Sequence, residues 1–137
     1  MRICSFNQLL LIVFSTILVF TSCINQNEEE KLKAYSVLSY EDYAEEIEKN
    51  EVVLIDVRSS GEYKNGHIPG AIQANIESKE FEDKIAALNI NKNEPVYIYC
   101  LSGNRSKKAA SKMQEMGFEN IIDLDGGIRA WRGDIEQ

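Results

Sequence analysis

Positive charge is in short supply. Fifteen Lys and Arg face 22 Asp and Glu, for a formal net charge of −7, so the chain repels nucleic acid and other polyanions. Histidine occurs once, as His67, which leaves at most one imidazole base. Internal repeats and low-complexity stretches are missing, and 137 residues suit one domain with one core rather than two. No apolar run reaches the roughly 20 residues of a comfortable membrane span, and the most apolar stretch, Leu9 to Phe20, stops short of it. Cysteine is scarce too, at three residues: Cys4, Cys23 and Cys100.

What is present begins with a leader. Residues 1–22, with the following Cys23, combine a basic start at Arg2, a short apolar centre and small polar residues before the cysteine, the layout of an export signal. Phe20-Thr21-Ser22-Cys23 resembles a bacterial lipobox, in which cleavage precedes the cysteine and the cysteine carries lipid. An uncleaved membrane anchor and an ordinary cleaved signal are the alternatives. The expected organisation is a lipoprotein signal peptide at 1–22, a lipidated Cys23 with a polar tether to residue 33, and a folded domain over 34–137. Such a protein sits in the bacterial cell envelope, anchored on the periplasmic side of the inner membrane or on the outer membrane. Ile24 rather than Asp follows the cysteine, so an inner-membrane retention signal is absent.

The remaining sequence alternates strand and helix signals. Tyr35–Leu38 reads as a short strand, and Ser39 caps a helix whose Tyr40, Tyr43, Ala44 and Ile47 share one face. Val52–Val57 and Val96–Tyr99 are continuous apolar runs, as in strands buried on both sides. Between them, Ser59–Ala71 reads as a loop with a short helical turn at most, Ile72–Ile76 as a brief strand, and Phe81, Ile85 and Leu88 as a helix face with Ser78 as its cap. Ser106–Met116 is a helix ended by Gly117, Ile121–Leu124 a strand, Gly126-Gly127 a tight turn and Ile128–Trp131 a last helical turn. The expected fold class is α/β, a mostly parallel central sheet with helices on both faces. Ligands of such sheets gather beyond the carboxyl ends of the strands, where Asp56 and Cys100 stand.

Cys100 is the one free thiol expected in the folded domain, and an oxidising compartment makes such a thiol a liability unless it is buried or used. It closes an apolar strand and a helix opens at Arg105 and Ser106, so the residues between must wrap tightly. Gly103 permits that turn, and successive N–H groups can converge on the sulfur as an anion nest. The helix end and Arg105 add positive potential, so the thiol should ionise more readily than an ordinary cysteine and need no histidine base. A small buried packing residue is the rival reading, although packing alone needs no cradle of donors.

The spaced pieces "LIDVRSSGEY", "GHIPGA", "YCLSGNRS", "MGF" and "LDGGIRAW" occur in order between Leu54 and Trp131. In that pattern the chain resembles the rhodanese-like (sulfurtransferase) domain family from about Tyr35 to Trp131. The resemblance implies that Cys100 accepts sulfur and becomes a persulfide, with Leu101, Ser102, Gly103, Asn104, Arg105 and Ser106 forming the loop that binds it. It implies sulfane-sulfur transfer from a donor such as thiosulfate or polysulfide to cyanide or a thiol, with no metal or organic cofactor required. Four residues separate Cys100 from Arg105, as in the six-residue loops of sulfurtransferases; phosphatases and arsenate reductases of this fold have one residue more. Leu101 stands where many thiosulfate-using relatives have Arg, which leaves the donor open and keeps a non-turnover persulfide carrier or partner-binding module as the alternative.

Three further residues are expected to support the site. His67 should fix its loop by a hydrogen bond, and Asp56 and Arg58 should tie neighbouring loops through an ion pair, with Arg58 also a candidate for touching a substrate anion. Lys107 and Lys108 are read as a solvated helix face with a secondary role at the rim, and Trp131 and the tyrosines as packing residues.

Overall fold

The computed structural model describes residues 35–137. The expected leader, lipidated Cys23 and tether therefore lie outside the described residues. Among the described residues, no helix is long and apolar enough to cross a membrane.

Among the described residues, five strands form one sheet: β1 (Tyr35–Leu38), β2 (Val53–Asp56), β3 (Ile72–Gln73), β4 (Val96–Tyr99) and β5 (Ile121–Leu124), in the order β1-β5-β4-β2-β3. Every pairing is parallel, so the sheet is wholly and not just mostly parallel. The central strand β4 is buried along its whole length, which is why its sequence is apolar without alternation.

Side chains still alternate between faces, and that alternation divides the core in two. On one face Ile55, Val57, Val96, Ile98, Cys100 and Ile121 pack with helices α3 (Phe81–Ala87) and α4 (Asn104–Glu115). On the other, Leu54, Tyr97, Tyr99 and Leu124 pack with Tyr43 of α1 (Tyr40–Lys49), Tyr63 of α2 (Ser60–Lys64) and the 3₁₀ turn Gly127–Arg129. Helices thus cover both faces, as the alternating signals require.

The caps account for several boundaries. Ser39 Oγ accepts the Asp42 N–H at 3.2 Å, holding the first turn of α1. Helix α2 is more than the single turn expected within the Ser59–Ala71 loop: Ser59 and Glu62 form a reciprocal capping box that starts it. Helix α3 differs in the opposite sense. Its N-cap is Glu80, without a side-chain hydrogen bond, because Ser78 acts one step earlier and its Oγ accepts the Glu80 N–H at 3.2 Å. Strand β3 is cut to two residues, since beyond Gln73 the chain bends and hydrogen-bonds Ala74 and Ile76 N–H to Asp56 and Val57 carbonyls.

Candidate active site

The turn from β4 to α4 places Cys100 at the carboxyl edge of the sheet. Helix α4 starts at Asn104, two residues before the expected Ser106, because Gly103 serves as N-cap with φ +97. That left-handed geometry suits glycine and aims the Gly103 N–H at the Cys100 sulfur, 3.0 Å away. Ser106 Oγ lies 3.5 Å from the same sulfur, and Ser106 is fully buried beneath it.

A second segment shapes the loop from outside. Ile128 N–H donates to the Cys100 carbonyl at 2.8 Å and Arg129 N–H to the Leu101 carbonyl at 3.4 Å. Because a trans peptide points its C=O and following N–H in opposite directions, fixing these carbonyls outward turns the Leu101 and Ser102 N–H groups inward. Gly127 makes the contact possible: a Cβ there would lie 2.5 Å from the Cys100 oxygen and 2.7 Å from the Ser102 nitrogen, and its φ is +61. The "GG" after β5 therefore builds the cradle in addition to making a turn.

The electrostatic balance on Cys100 has two sides. Burial opposes ionisation, but the Ser106 hydroxyl and the N–H groups of Ser106, Ser102 and Gly103 outweigh it, and the thiol pKa falls below its ordinary 9.0. Arg105 does not act as the bare positive charge expected. Its guanidinium is bidentate with Glu62, at 2.7 and 2.6 Å, and Glu77 stands 3.9 Å away. Arg105 holds Glu62 well into its ionised form, with the carboxyl down to about 2, and so ties α2 to the loop. The activation of the thiol comes mainly from hydrogen bonds rather than from a neighbouring cation.

Cys100 is only 1 % exposed, so a reaction partner must bring a slim end to the sulfur. Leu101 and Gly103 are half-buried, while Ser102 and Asn104 are exposed at the rim. Lys107 and Lys108 are also exposed.

The remaining expected residues separate from the thiol. Asp56 pairs with Tyr99 in the sheet register and so shares that residue's face, opposite to Cys100. Its carboxylate takes the Arg58 Nε at 2.9 Å, and Arg58 Nη2 reaches the Gly66 carbonyl at 2.7 Å. With its side chain 5 % exposed, Arg58 is a loop tie and is not aimed at an anion in the cradle. His67 Nδ1 lies 3.0 Å from the Tyr63 carbonyl, its ring stacks on Tyr63, and its backbone pairs with Glu136. These contacts hold its loop, and its Nε2 stands 3.7 Å from a Glu136 carboxylate oxygen.

The sequence reading left four contributors without a role in the site: Asp123, Glu62, Tyr35 and the Gly127–Arg129 backbone. Asp123 carried a usable signal. It shares the Ile121 face of a strand covered on both sides, so its carboxyl has to be buried. Its Oδ2 accepts from Ser106 Oγ and from the Tyr35 hydroxyl, each at 2.7 Å.

Known proteins resemble this arrangement over most of the domain. The family model for the rhodanese-like domain matches residues 39–134. A putative sulfur carrier protein, YrkF, of Bacillus subtilis is 33% identical over 112 residues, 81% of this chain and 58% of its own length. The thiosulfate sulfurtransferase GlpE of Pseudoalteromonas translucida is 35% identical, over 72% of this chain and 90% of its own. The chain spans only 23% of another relative, the tRNA uridine(34) hydroxylase of Bdellovibrio bacteriovorus, at 40% identity. Among solved structures, a rhodanese-like domain protein from Staphylococcus aureus superposes with a TM-score of 0.64 at 26% identity, covering 74% of this chain and 96% of that one. With its parallel sheet, its thiol at the carboxyl edge and its helix-opening loop, the chain belongs to the rhodanese-like domain family.

Proposed function

We propose that the protein is a sulfurtransferase in which Cys100 carries sulfane sulfur as a persulfide. The observation that carries this reading is the Gly103 N–H, 3.0 Å from the sulfur, in a turn whose neighbouring amides also lower the thiol pKa. A thiolate held by amides attacks directly, and the same amides steady negative charge on an added sulfur. With thiosulfate, the Cys100 thiolate attacks the outer sulfur, the S–S bond of the donor breaks, and sulfite leaves with the electron pair. Cyanide or a thiolate then attacks the outer sulfur of Cys100-S-S⁻ and restores the thiolate, a ping-pong cycle. The relatives named for thiosulfate sulfur transfer and sulfur carriage support the same chemistry.

The site favours slim donors. Cys100 is almost wholly covered, so a linear polysulfide chain should outperform thiosulfate, whose reacting sulfur is backed by a bulkier tetrahedral SO3 group. Cyanolysis with each donor tests this: thiocyanate should form faster from polysulfide, and a Cys100→Ser variant that releases as much thiocyanate as the unaltered protein would contradict the whole assignment.

A second reading, a persulfide carrier without multiple turnover, is favoured by Leu101 and by the likeness to the sulfur carrier protein. A carrier takes one sulfur per chain and does not cycle with free cyanide. The proposed location is the bacterial envelope, through lipid on Cys23, and intact-mass measurement of the native protein should find acyl groups on that residue.

A further inference from the structure

Ser106 has one hydroxyl proton and three neighbours that compete for it. Asp123 Oδ2 is 2.7 Å away, the Gly103 carbonyl 3.0 Å and the Cys100 sulfur 3.5 Å. An ionised carboxylate at 2.7 Å is the strongest acceptor of the three. While Asp123 is ionised, the chain of hydrogen bonds therefore runs one way: Cys100 S–H to Ser106 Oγ, and Ser106 O–H to Asp123 Oδ2. A Cys100 thiolate requires the reverse, with Asp123 O–H donating to Ser106 Oγ and Ser106 O–H to the sulfur.

The surroundings make the reversal accessible. Asp123 is 1 % exposed, and its Oδ1 is buried with no hydrogen-bond partner among the described residues, so a full carboxylate is poorly solvated there. We infer that Asp123 is a positioning residue acting through Ser106: it receives the proton that Cys100 gives up, so that thiol and carboxylate share one negative charge. The step balances without any outside base. The Cys100 S–H bond breaks and its proton joins Ser106 Oγ, while the Ser106 O–H bond breaks and that proton joins Asp123 Oδ2.

Burial, set against hydrogen bonds from Ser106, Tyr35 and the Leu124 N–H and the charge of Lys107, raises the Asp123 carboxyl to about 6, so it holds a proton more tightly than an ordinary aspartate. Tyr35 on β1 and Ser106 and Lys107 on α4 face this carboxyl. The Asp123 charge is also felt by Tyr43 on α1, while Cys100 and Asp125 act on the neighbouring Tyr35 hydroxyl. The inference deepens the proposed function and rests on Cys100 reacting as a thiolate, but not on any particular donor.

The test follows ionisation rather than turnover. Alkylation of Cys100 by iodoacetamide is measured against pH in the full chain, resolved by peptide mass spectrometry so that Cys4 and Cys23 do not contribute. The unaltered protein should show two ionisation steps, since coupled groups titrate as a pair. Asp123→Asn should show one, with alkylation near neutral pH, where Asp123 of the unaltered protein is ionised, faster by about tenfold because the competing charge is gone. An Asp123→Asn profile identical to that of the unaltered protein would overturn the inference. Carboxyl carbon NMR of the unaltered protein gives an independent check should that variant fail to fold. Blocking Cys100 as a methyl disulfide should lower the Asp123 pKa, and an unchanged carboxyl titration would overturn the inference equally. Neither readout measures sulfur transfer, so a protein inert toward every donor but showing both effects would refute the proposed function alone.

Discussion

At the residue scale, two glycines near the thiol are constrained for different reasons. Gly103 has open space where a Cβ would go but sits at φ +97, so Gly103→Ala introduces backbone strain alone; about 1–2 kcal/mol of stability should be lost. Gly127 combines φ +61 with a Cβ only 2.5 Å from the Cys100 carbonyl oxygen, and Gly127→Ala should cost about 2–4 kcal/mol while spreading the cradle. Urea unfolding of both variants checks the order. Asp123 gives a signed pH dependence. Its carboxyl is raised from 3.8 to about 6, so its contribution to stability is complete below about 4 and is lost as pH rises through about 6. Asp123→Asn should therefore be the more stable protein at neutral pH by about 1–2 kcal/mol, an advantage that vanishes in acid. Thermal unfolding at several pH values measures it. Cys100 and its loop were legible in the sequence because a strand end, a glycine and a helix start lie within a few residues. The role of Asp123 was not, since nothing local shows which helix residue a strand side chain will meet.

At the scale of elements, the tie between α2 and the active loop carries a prediction of its own. Glu62 caps α2 from within and also grips Arg105 from α4, and its carboxyl is lowered from 4.5 to about 2. A depressed acid contributes stability above its unfolded value, and that contribution disappears as pH falls from about 4.5 to about 2. Glu62→Gln should abolish this acid-sensitive part, worth about 1 kcal/mol after screening of a partly exposed pair, as followed by denaturant midpoints across that range. The same element shows where local reading falls short. The continuous apolar runs gave β2 and β4, and the Ser39 cap gave α1, because burial on both sheet faces and a capped first turn leave direct marks in sequence. Helix α2 is five residues long with a glycine inside it, so periodicity has too little length to act. Its Ser59 and Glu62 spacing is the one mark it leaves. The start of α4 moved to Asn104 because Gly103, rather than a Ser or Thr hydroxyl, provides the cap.

Across the whole molecule, the parallel sheet divides duties between its faces. The α3 and α4 face carries Cys100, Ser106 and Asp123, while the opposite face uses Asp56, Arg58 and His67 to hold the loops that border the strand ends. That division explains why Asp56 and Cys100, both at carboxyl ends of adjacent strands, do not meet: alternation sends their side chains apart. A net charge of −7 adds a weak repulsion toward dianions over the entire surface, so the KM for thiosulfate and for polysulfide should rise as salt is removed and fall as it is added. Steady-state assays of thiosulfate and polysulfide at low and high ionic strength check this, and a KM independent of salt for both donors would contradict it.

The most direct measurement is the mass of the Cys100 peptide after brief exposure of the reduced protein to polysulfide, followed by cyanide. If cradled amides make this sulfur a stabilised anion, the peptide gains one sulfur atom and loses it again to cyanide, as thiocyanate. A Cys100 peptide that never gains sulfur, or gains it only at a rate matched by the thermally unfolded chain, would contradict the account.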